Sequence, residues 1–441
     1  MKRLLVCLNG VRVGLLSDDE NPLFAYDPDW VASGPGHPLS RQLPLQAEAF
    51  SGKEVRAFFS GLLPEADSRD RIASILGVSG GNDFAILERI GGDCAGAVSL
   101  FPEGTPLPES RVGGLRWLDD SSLASIVERL PRQPLMAGEA GVRLSLAGAQ
   151  TKLPVVMEGA SATSKARIAL PLDGTPSTHI LKPEPERFPG LVANEAWCME
   201  LAREIGLSAA ECQRRVIGRT PCLLVKRYDR MPAADGAIER LHQEDFCQAL
   251  GFSASRKYQQ EGGPSLKDCI SLIREWSSVP VIDIRDFLDA VIFAALTGNA
   301  DAHSKNFSLL YRGKERRLAP LYDQVCTLAW PELSKHLSMK IGSAATLAEV
   351  SPEHFQQLAT AARLSWPMVR ERLQDMADRI VGACRGSNGS DNSPVDASLE
   401  LPRGIVSERA ERMPLASHRS PRRHATLSIC SGFKAVGGKA V

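Results

Sequence analysis

Gly298-Asn299-Ala300-Asp301-Ala302-His303-Ser304-Lys305-Asn306-Phe307 is the stretch on which the reading of this chain turns. It follows an apolar run, Phe287-Leu288-Asp289-Ala290-Val291-Ile292-Phe293-Ala294-Ala295-Leu296, which has the pattern of a buried helix. It precedes a strand-like run, Phe307-Ser308-Leu309-Leu310-Tyr311. An acid, an imidazole, an ammonium and a carboxamide therefore share one loop between two core elements. Loops held by a rigid scaffold are where functional groups concentrate. Taken alone, an Asp-x-His loop is more often a turn or a cap.

The spacing says more. Four residues separate Asp301 from Asn306. That is the spacing of a phosphoryl-transfer loop in which the acid takes a hydroxyl proton and the amide holds Mg²⁺. A second acid, Asp323, follows a strand-like Leu318-Ala319-Pro320-Leu321-Tyr322 and suits the other metal-holding position. The remaining parts of such a site should lie upstream, in order.

Arg143-Leu144-Ser145-Leu146 reads as a strand, and Leu153-Pro154-Val155-Val156-Met157 as another. Between them runs Ala147-Gly148-Ala149-Gln150-Thr151-Lys152, whose small residues let backbone N–H groups approach a phosphate closely. The loop joins two strands and lacks Gly-x-x-x-x-Gly-Lys-Ser/Thr, so it is no P-loop; by itself it could be a plain hairpin turn. The strand Thr178-His179-Ile180-Leu181-Lys182-Pro183 offers a phosphate-pairing Lys182, or merely an edge lysine before a proline. A helix over 191–205, ended by Gly206, carries Glu195 in its first turns. There Glu195 can pair with Lys182 to position phosphates, or simply answer the helix dipole. Strands over 214–217 and 221–229 follow, and Lys226-Arg227-Tyr228 ends the second as a hinge bordering adenine. Each part has a bland alternative; their joint order does not.

Composition sets the frame. At 441 residues, with 52 basic and 52 acidic side chains, the chain has room for two or three domains. Zero net charge argues against broad electrostatic binding of nucleic acid by this chain alone. No apolar run reaches the ~18–20 residues of a membrane helix. The start, Met1-Lys2-Arg3-Leu4-Leu5-Val6-Cys7, lacks the pattern of a signal peptide. The ten cysteines form no Cys-x-x-Cys pair and mostly sit in apolar patterns, as reduced thiols of a cytoplasmic protein do.

Residues 1–110 read as a small α+β interaction domain that brings no chemistry of its own. It opens on a hairpin at Asn9-Gly10, and helices follow over 55–76, closed by Gly77. Ile90-Gly91-Gly92-Asp93-Cys94-Ala95-Gly96 reads as a turn between a helix and a last strand. Residues 111–140 read as a connector with a short helix near 121–129. Gln243-Glu244-Asp245 reads as the capped, acidic start of a helix, or as a set of groups that orients the catalytic loop. After Cys384 apolar residues thin out, and 385–441 reads as a mostly disordered tail with a basic cluster, Arg419-Ser420-Pro421-Arg422-Arg423-His424.

Taken together, these residues resemble HipA-type serine/threonine kinases, the toxin half of bacterial HipA–HipB toxin–antitoxin pairs. The motifs that carry the resemblance are Ser145 through Lys152, His179-Ile180-Leu181-Lys182-Pro183, Asn194-Glu195, Val225 through Arg230, His242 through Gln248, Asp301 through Phe307, and Leu321-Tyr322-Asp323. The resemblance implies an α+β fold: a two-lobed protein-kinase-like body after a small α+β N-terminal domain. The β-rich small lobe spans 141–230 and the mainly helical large lobe 231–384. It implies ATP and Mg²⁺ as cofactors. Asp301 would accept the substrate proton; Asn306 and Asp323 would hold Mg²⁺; Lys182 would pair the phosphates, covered by Ala147 through Lys152. Lys226, Arg227 and Tyr228 would border adenine. His303, Ser304 and Lys305 would line or support the catalytic loop and the transferred phosphate. Ser145 matches a serine that the family autophosphorylates to switch itself off. The implied substrate is a protein of translation such as an aminoacyl-tRNA synthetase, and the implied partner a helix-turn-helix antitoxin, with DNA reached only through it. The chain departs from common kinases in lacking Gly-x-Gly-x-x-Gly and Asp-Phe-Gly; Tyr322-Asp323-Gln324 stands instead. Two other readings stay open: a catalytically weak kinase-fold co-repressor, and a metal hydrolase using Asp301, His303 and Asp323.

Overall fold

The computed structural model describes residues 2–18, 22–32, 37–107, 114–159, 166–233, 236–386 and 396–413. The N-terminal unit is a five-stranded antiparallel sheet in the order Phe50–Ser51, Leu23–Tyr26, Val11–Ser17, Arg3–Leu8, Val98–Pro102. Asn9 and Gly10 both take positive φ, as the tightest hairpin turn demands. Helices Lys53–Ser60, Ala66–Leu76 and Asp83–Ile90 accompany the sheet, and Gly77 closes the second in the left-handed conformation.

The small lobe is a six-stranded sheet: Cys212–Ile217, Thr220–Lys226, His179–Pro183, Leu153–Glu158, Arg167–Pro171, Leu115–Leu118. Two expectations change here. The segment 143–146 forms no ladder with 153–157; Leu144 bridges Asp93, and the Ser145 N–H donates to the Asp93 carbonyl at 3.0 Å. The chain before the phosphate loop is therefore tied to the N-terminal unit. The stretch taken as a connector supplies an edge strand, Leu115–Leu118, and a helix, Asp120–Arg129, to this lobe; residues 108–113 lie outside the described residues. One apolar core runs from Leu4, Val6 and Phe58 of the N-terminal sheet and helices to Leu153, Leu181 and Leu224 of the small lobe. The N-terminal unit is thus packed into the body and does not stand apart.

The large lobe gathers helices Leu266–Trp276, Pro280–Thr297, Pro352–Ala362 and Trp366–Gly386 on one core. Pro280–Thr297 is buried without a break from Phe287 to Thr297, as its apolar run requires. Gly298 ends it at φ +74, where a Cβ would also press on Leu328; only glycine meets both demands. A three-stranded sheet, His242–Asp245, Ser308–Arg312, Glu315–Leu318, receives the chain after the catalytic loop. The expected tail is corrected over 396–413. Helix Glu400–Arg412 docks on the large-lobe core through Val406 and Ala410, flanked by Leu399 and Met413. Arg419 to His424 lies outside the described residues.

Among the described residues no helix is long and apolar enough to cross a membrane. The nine described cysteines are all unpaired thiols, and seven are buried.

Candidate active site

The cleft between the lobes brings the predicted groups together. Lys182, on its strand, points into the cleft with its side chain 8% exposed. Its Nζ lies 2.6 Å from Glu195 Oε1 and 2.7 Å from Asp323 Oδ1. Burial works against the charged ammonium, but Asp323 and Glu195 outweigh it and raise its pKa. Asp323 sits at φ +61, a conformation that costs a non-glycine residue and is held by its surroundings. Lys182 and Lys152 hold its carboxyl well below the usual range, against the cost of burial.

Asn306 is next. Its Nδ2 donates to Asp323 Oδ2 at 3.2 Å, and its Oδ1 accepts the His303 N–H at 3.0 Å. The Asn306 carboxamide and the Asp323 carboxylate are thus adjacent, with the amide nitrogen facing the acid and the amide oxygen turned to the His303 N–H. Both groups carry hard oxygen donors of the kind Mg²⁺ takes, with substrate phosphates and waters completing the octahedron. The Asn306 oxygen has a second lone pair to give. The donor set fits Mg²⁺. A tight transition-metal site is another matter: among the described residues no three His, Cys, Asp or Glu side chains gather to hold one. The hydrolase reading therefore loses its ligand set.

Asp301 opens to solvent at the cleft. Asn299 Oδ1 accepts its N–H at 3.0 Å, fixing the turn after Gly298. The Tyr258 hydroxyl donates to Asp301 Oδ1 at 3.1 Å, and the Ser338 hydroxyl lies 3.4 Å away. Although the residue reaches solvent, the protein packed around its carboxyl disfavours the charged form and raises its pKa, with Lys257 opposing the rise and Asp323 adding to it. His303 is buried with Nδ1 unpartnered, its ring edge-on to Tyr258. Burial and the neighbouring Lys257 push its pKa down to about 3, so it is neutral.

Lys305 is fully committed. It pairs with Asp245 at 2.7 Å and lies 3.7 Å from Glu65. Asp245 also caps the next helix in a reciprocal box with Gln248, so both readings of that acidic segment hold for one residue. Ser304 is corrected: it is fully buried, and its hydroxyl donates to the Lys257 carbonyl at 3.2 Å and contacts Cys247. It anchors the loop and does not face a cofactor.

The phosphate loop is held against the N-terminal unit. Gly148 takes φ +104, and its carbonyl accepts the Glu65 N–H at 3.2 Å. Ala149 accepts from Ser68, and Ala147 accepts from Lys152 Nζ at 2.7 Å. Gln150 and Thr151 are half-buried along the same turn. Burial, with Lys182 repelling it, lowers the Lys152 pKa to about 8. Ser145 is wholly buried, and its hydroxyl donates to the Leu62 carbonyl at 2.8 Å.

The hinge is partly corrected. Lys226 turns outward to pair with Glu211 at 3.1 Å, and its N–H already donates to the Glu211 carbonyl. Arg227 is withdrawn from the cleft: it is buried and bonded to Asp229, Asp93, Ser177 and the Cys94 carbonyl. Tyr228 packs on Tyr322 with its hydroxyl on Gln243 at 2.6 Å. Sequence reasoning missed Glu65, Lys257, Tyr258 and Ser338. Lys257-Tyr258 stands alone in a polar loop, and no local signal marks it.

A β-rich lobe over a helical lobe, with a Lys–Glu pair above an Asp-x₄-Asn loop, defines a protein-kinase-like body of α+β class. Residues 144–384 match the HipA-like C-terminal domain, and residues 4–101 the HipA N-terminal domain. The chain belongs to the HipA family. The serine/threonine-protein kinase toxin HipA of Shewanella oneidensis is 34% identical over 349 residues, 76% of this chain and 77% of that protein. Y4mE of Sinorhizobium fredii is 47% identical over 366 residues, 82% of this chain and 85% of that protein. A chain of the solved Shewanella oneidensis complex of HipA, HipB and operator DNA matches with TM-score 0.80 at 29% identity. The match covers 93% of this chain and 97% of that chain.

Proposed function

We propose that this chain is an ATP- and Mg²⁺-dependent serine/threonine protein kinase of the cytoplasm that acts as a growth-arresting toxin. Its substrate is a translation protein such as an aminoacyl-tRNA synthetase, its partner a HipB-like antitoxin that carries it to DNA. The observation behind this reading is Lys182 paired with both Glu195 and Asp323, with Asn306 bonded to Asp323 and Asp301 near enough to feel the Asp323 charge. The partner and the toxin role rest on the names of the relatives.

The residues divide the work. Lys182 draws the nucleotide phosphates toward the cleft and is itself aimed by Glu195. Asp301 receives the proton of the attacking hydroxyl. Asn306 and Asp323 would hold the metal, which when bound neutralises charge on the transferring phosphoryl group. Neutral His303 and the Lys305–Asp245 pair keep the loop in shape. Purified chain with γ-labelled ATP and Mg²⁺ should label itself and protein hydroxyls. Absence of any Mg²⁺-dependent transfer from the wild-type chain would refute the reading.

Ser145 is the proposed off-switch. It is buried in the structure, so its phosphorylation requires the loop before Lys152 to swing out and break the Glu65–Gly148 bond. A phosphate of charge about −1.5 to −2 would then keep it out. Ser145→Ala should remove the main self-labelled peptide and leave transfer to other proteins intact; mass spectrometry of the labelled chain checks this.

Lys152 predicts a pH effect. Bound phosphates favour its charged form, so binding above pH 8 must take up a proton. The ATP dissociation constant should be flat near pH 7 and rise up to ~10-fold per pH unit above about 8. In Lys152→Met binding should be weaker throughout and lose that slope. Titration calorimetry from pH 7 to 9.5 reads both.

A further inference from the structure

Glu65 belongs to the N-terminal unit, in Leu62-Leu63-Pro64-Glu65-Ala66, yet it ends in the catalytic cleft. It stands in extended conformation just before helix Ala66–Leu76. Its backbone N–H holds the Gly148 carbonyl of the phosphate loop. Its carboxylate faces the other lobe: Oε2 lies 2.8 Å from Lys257 Nζ, and Oε1 3.7 Å from Lys305 Nζ. One residue thus meets the loop above the phosphates and two lysines beside the catalytic loop below.

The charges are shut in. The side chains of Glu65, Lys257 and Lys305 are 13%, 15% and 4% exposed. Burial opposes the Glu65 charge, but Lys305 and Lys257 outweigh it and lower its pKa, so it is ionised. Two ammonium groups face two carboxylates, Glu65 and Asp245. Without Glu65, Lys305 keeps Asp245, while Lys257 loses its carboxylate and is left beside the Tyr258 ring, 5.3 Å from its centroid. Lys257 is also the charge that most strongly lowers the Asp301 pKa. Its neighbour Tyr258 donates to Asp301, and its own carbonyl accepts from Ser304.

We propose that Glu65 is a positioning residue for phosphoryl transfer, supplied by the N-terminal unit. It holds Lys257 off Asp301 and so sets both the place and the basicity of the proton acceptor. This rests on the kinase reading above. It gives the N-terminal unit a part in the chemistry beyond interaction.

Glu65→Gln tests it, because the substitution keeps the backbone bond to Gly148 and removes only the charge. The measured quantity is γ-phosphate leaving ATP, counted whether it ends on the full chain, on casein or in water. In Glu65→Gln the rate at saturating ATP should fall roughly 10- to 100-fold, the scale of a slightly misplaced catalytic group. The half-saturating ATP concentration should stay within about twofold, since the phosphate loop is still held. The acid limb of the rate profile should move to lower pH, because Lys257 now presses on Asp301 uncompensated. Glu65→Asp should restore the limb toward its wild-type position. A Glu65→Gln chain that binds ATP as wild type does, with rate and limb unchanged, overturns the proposal. So does a loss of rate with the limb unmoved, which is what mere structural damage gives. Failure of the wild-type chain to release any phosphate strikes the kinase reading instead.

Discussion

Replacing Asp301 by Asn should lower the rate of phosphate transfer ~10²–10⁴-fold, the range of a positioned general base, with ATP affinity little changed. The carboxylate is removed at constant volume. In the proposed reading Lys182 and the loop over 147–152 would meet the ATP phosphates, and Asn306 and Asp323 the metal, so the substitution would touch none of those contacts. Among the described residues the Asp301 side chain accepts from Tyr258 and weakly from Ser338. An asparagine oxygen can keep both bonds, so the fold should shift by no more than about 1 kcal/mol, the scale of a single hydrogen bond. The wild-type profile adds a second readout. Because the Asp301 pKa is raised, activity should switch on above the ordinary carboxylate range as pH rises. That limb should vanish in Asp301→Asn. Full wild-type turnover in this variant would remove Asp301 from the mechanism.

What could be read beforehand was what is local. The buried helix, the glycine that ends it, and the acid and amide after it lie within one continuous stretch, and hydrophobic period and helix-end chemistry locate them. Lys182 and Glu195 are only thirteen residues apart, on a strand and helix whose patterns are strong. The groups that were missed come from afar. Glu65 meets Lys305 across 240 positions, and a glutamate at a helix start looks like any dipole-matching acid. Arg227 was misplaced for the same reason. Its partner Asp93 sits in a glycine-rich turn of the N-terminal unit, and no periodicity announces that turn as an ionic hub. The helix Glu400–Arg412 was hidden by Pro402 and Gly404, which lower its helical signal. Its apolar residues at 399, 406, 410 and 413 nonetheless share one face and dock.

That hub yields the largest expected loss of stability. Asp93 is wholly buried. Its Oδ1 accepts from Arg230 at 2.9 Å and from Arg240 at 3.2 Å; its Oδ2 accepts from the Ser177 hydroxyl at 2.6 Å and lies 3.4 Å from Arg227. Asp229 is the other acid, bound to Arg227 and Arg230. Three guanidinium groups against two carboxylates leave +1; without the Asp93 charge the balance is +2, out of water. Asp93→Asn should cost about 3–5 kcal/mol, the usual penalty for breaking a buried ionic group on one side. That is a large part of the ~5–15 kcal/mol a folded protein has. The arginines come from the kinase body and Asp93 from the N-terminal unit, so the loosened joint should be the one between them. The pH dependence fixes the cause. Burial opposes the Asp93 charge, but the three arginines hold its pKa below the value in an unfolded chain. Its contribution is therefore present above about pH 4 and lost as pH falls through the folded value. The stability gap between wild type and Asp93→Asn, read from urea unfolding, should be full at pH 7 and narrow below about pH 4. A gap that stays constant with pH would mean that packing, not charge, is what Asp93 provides.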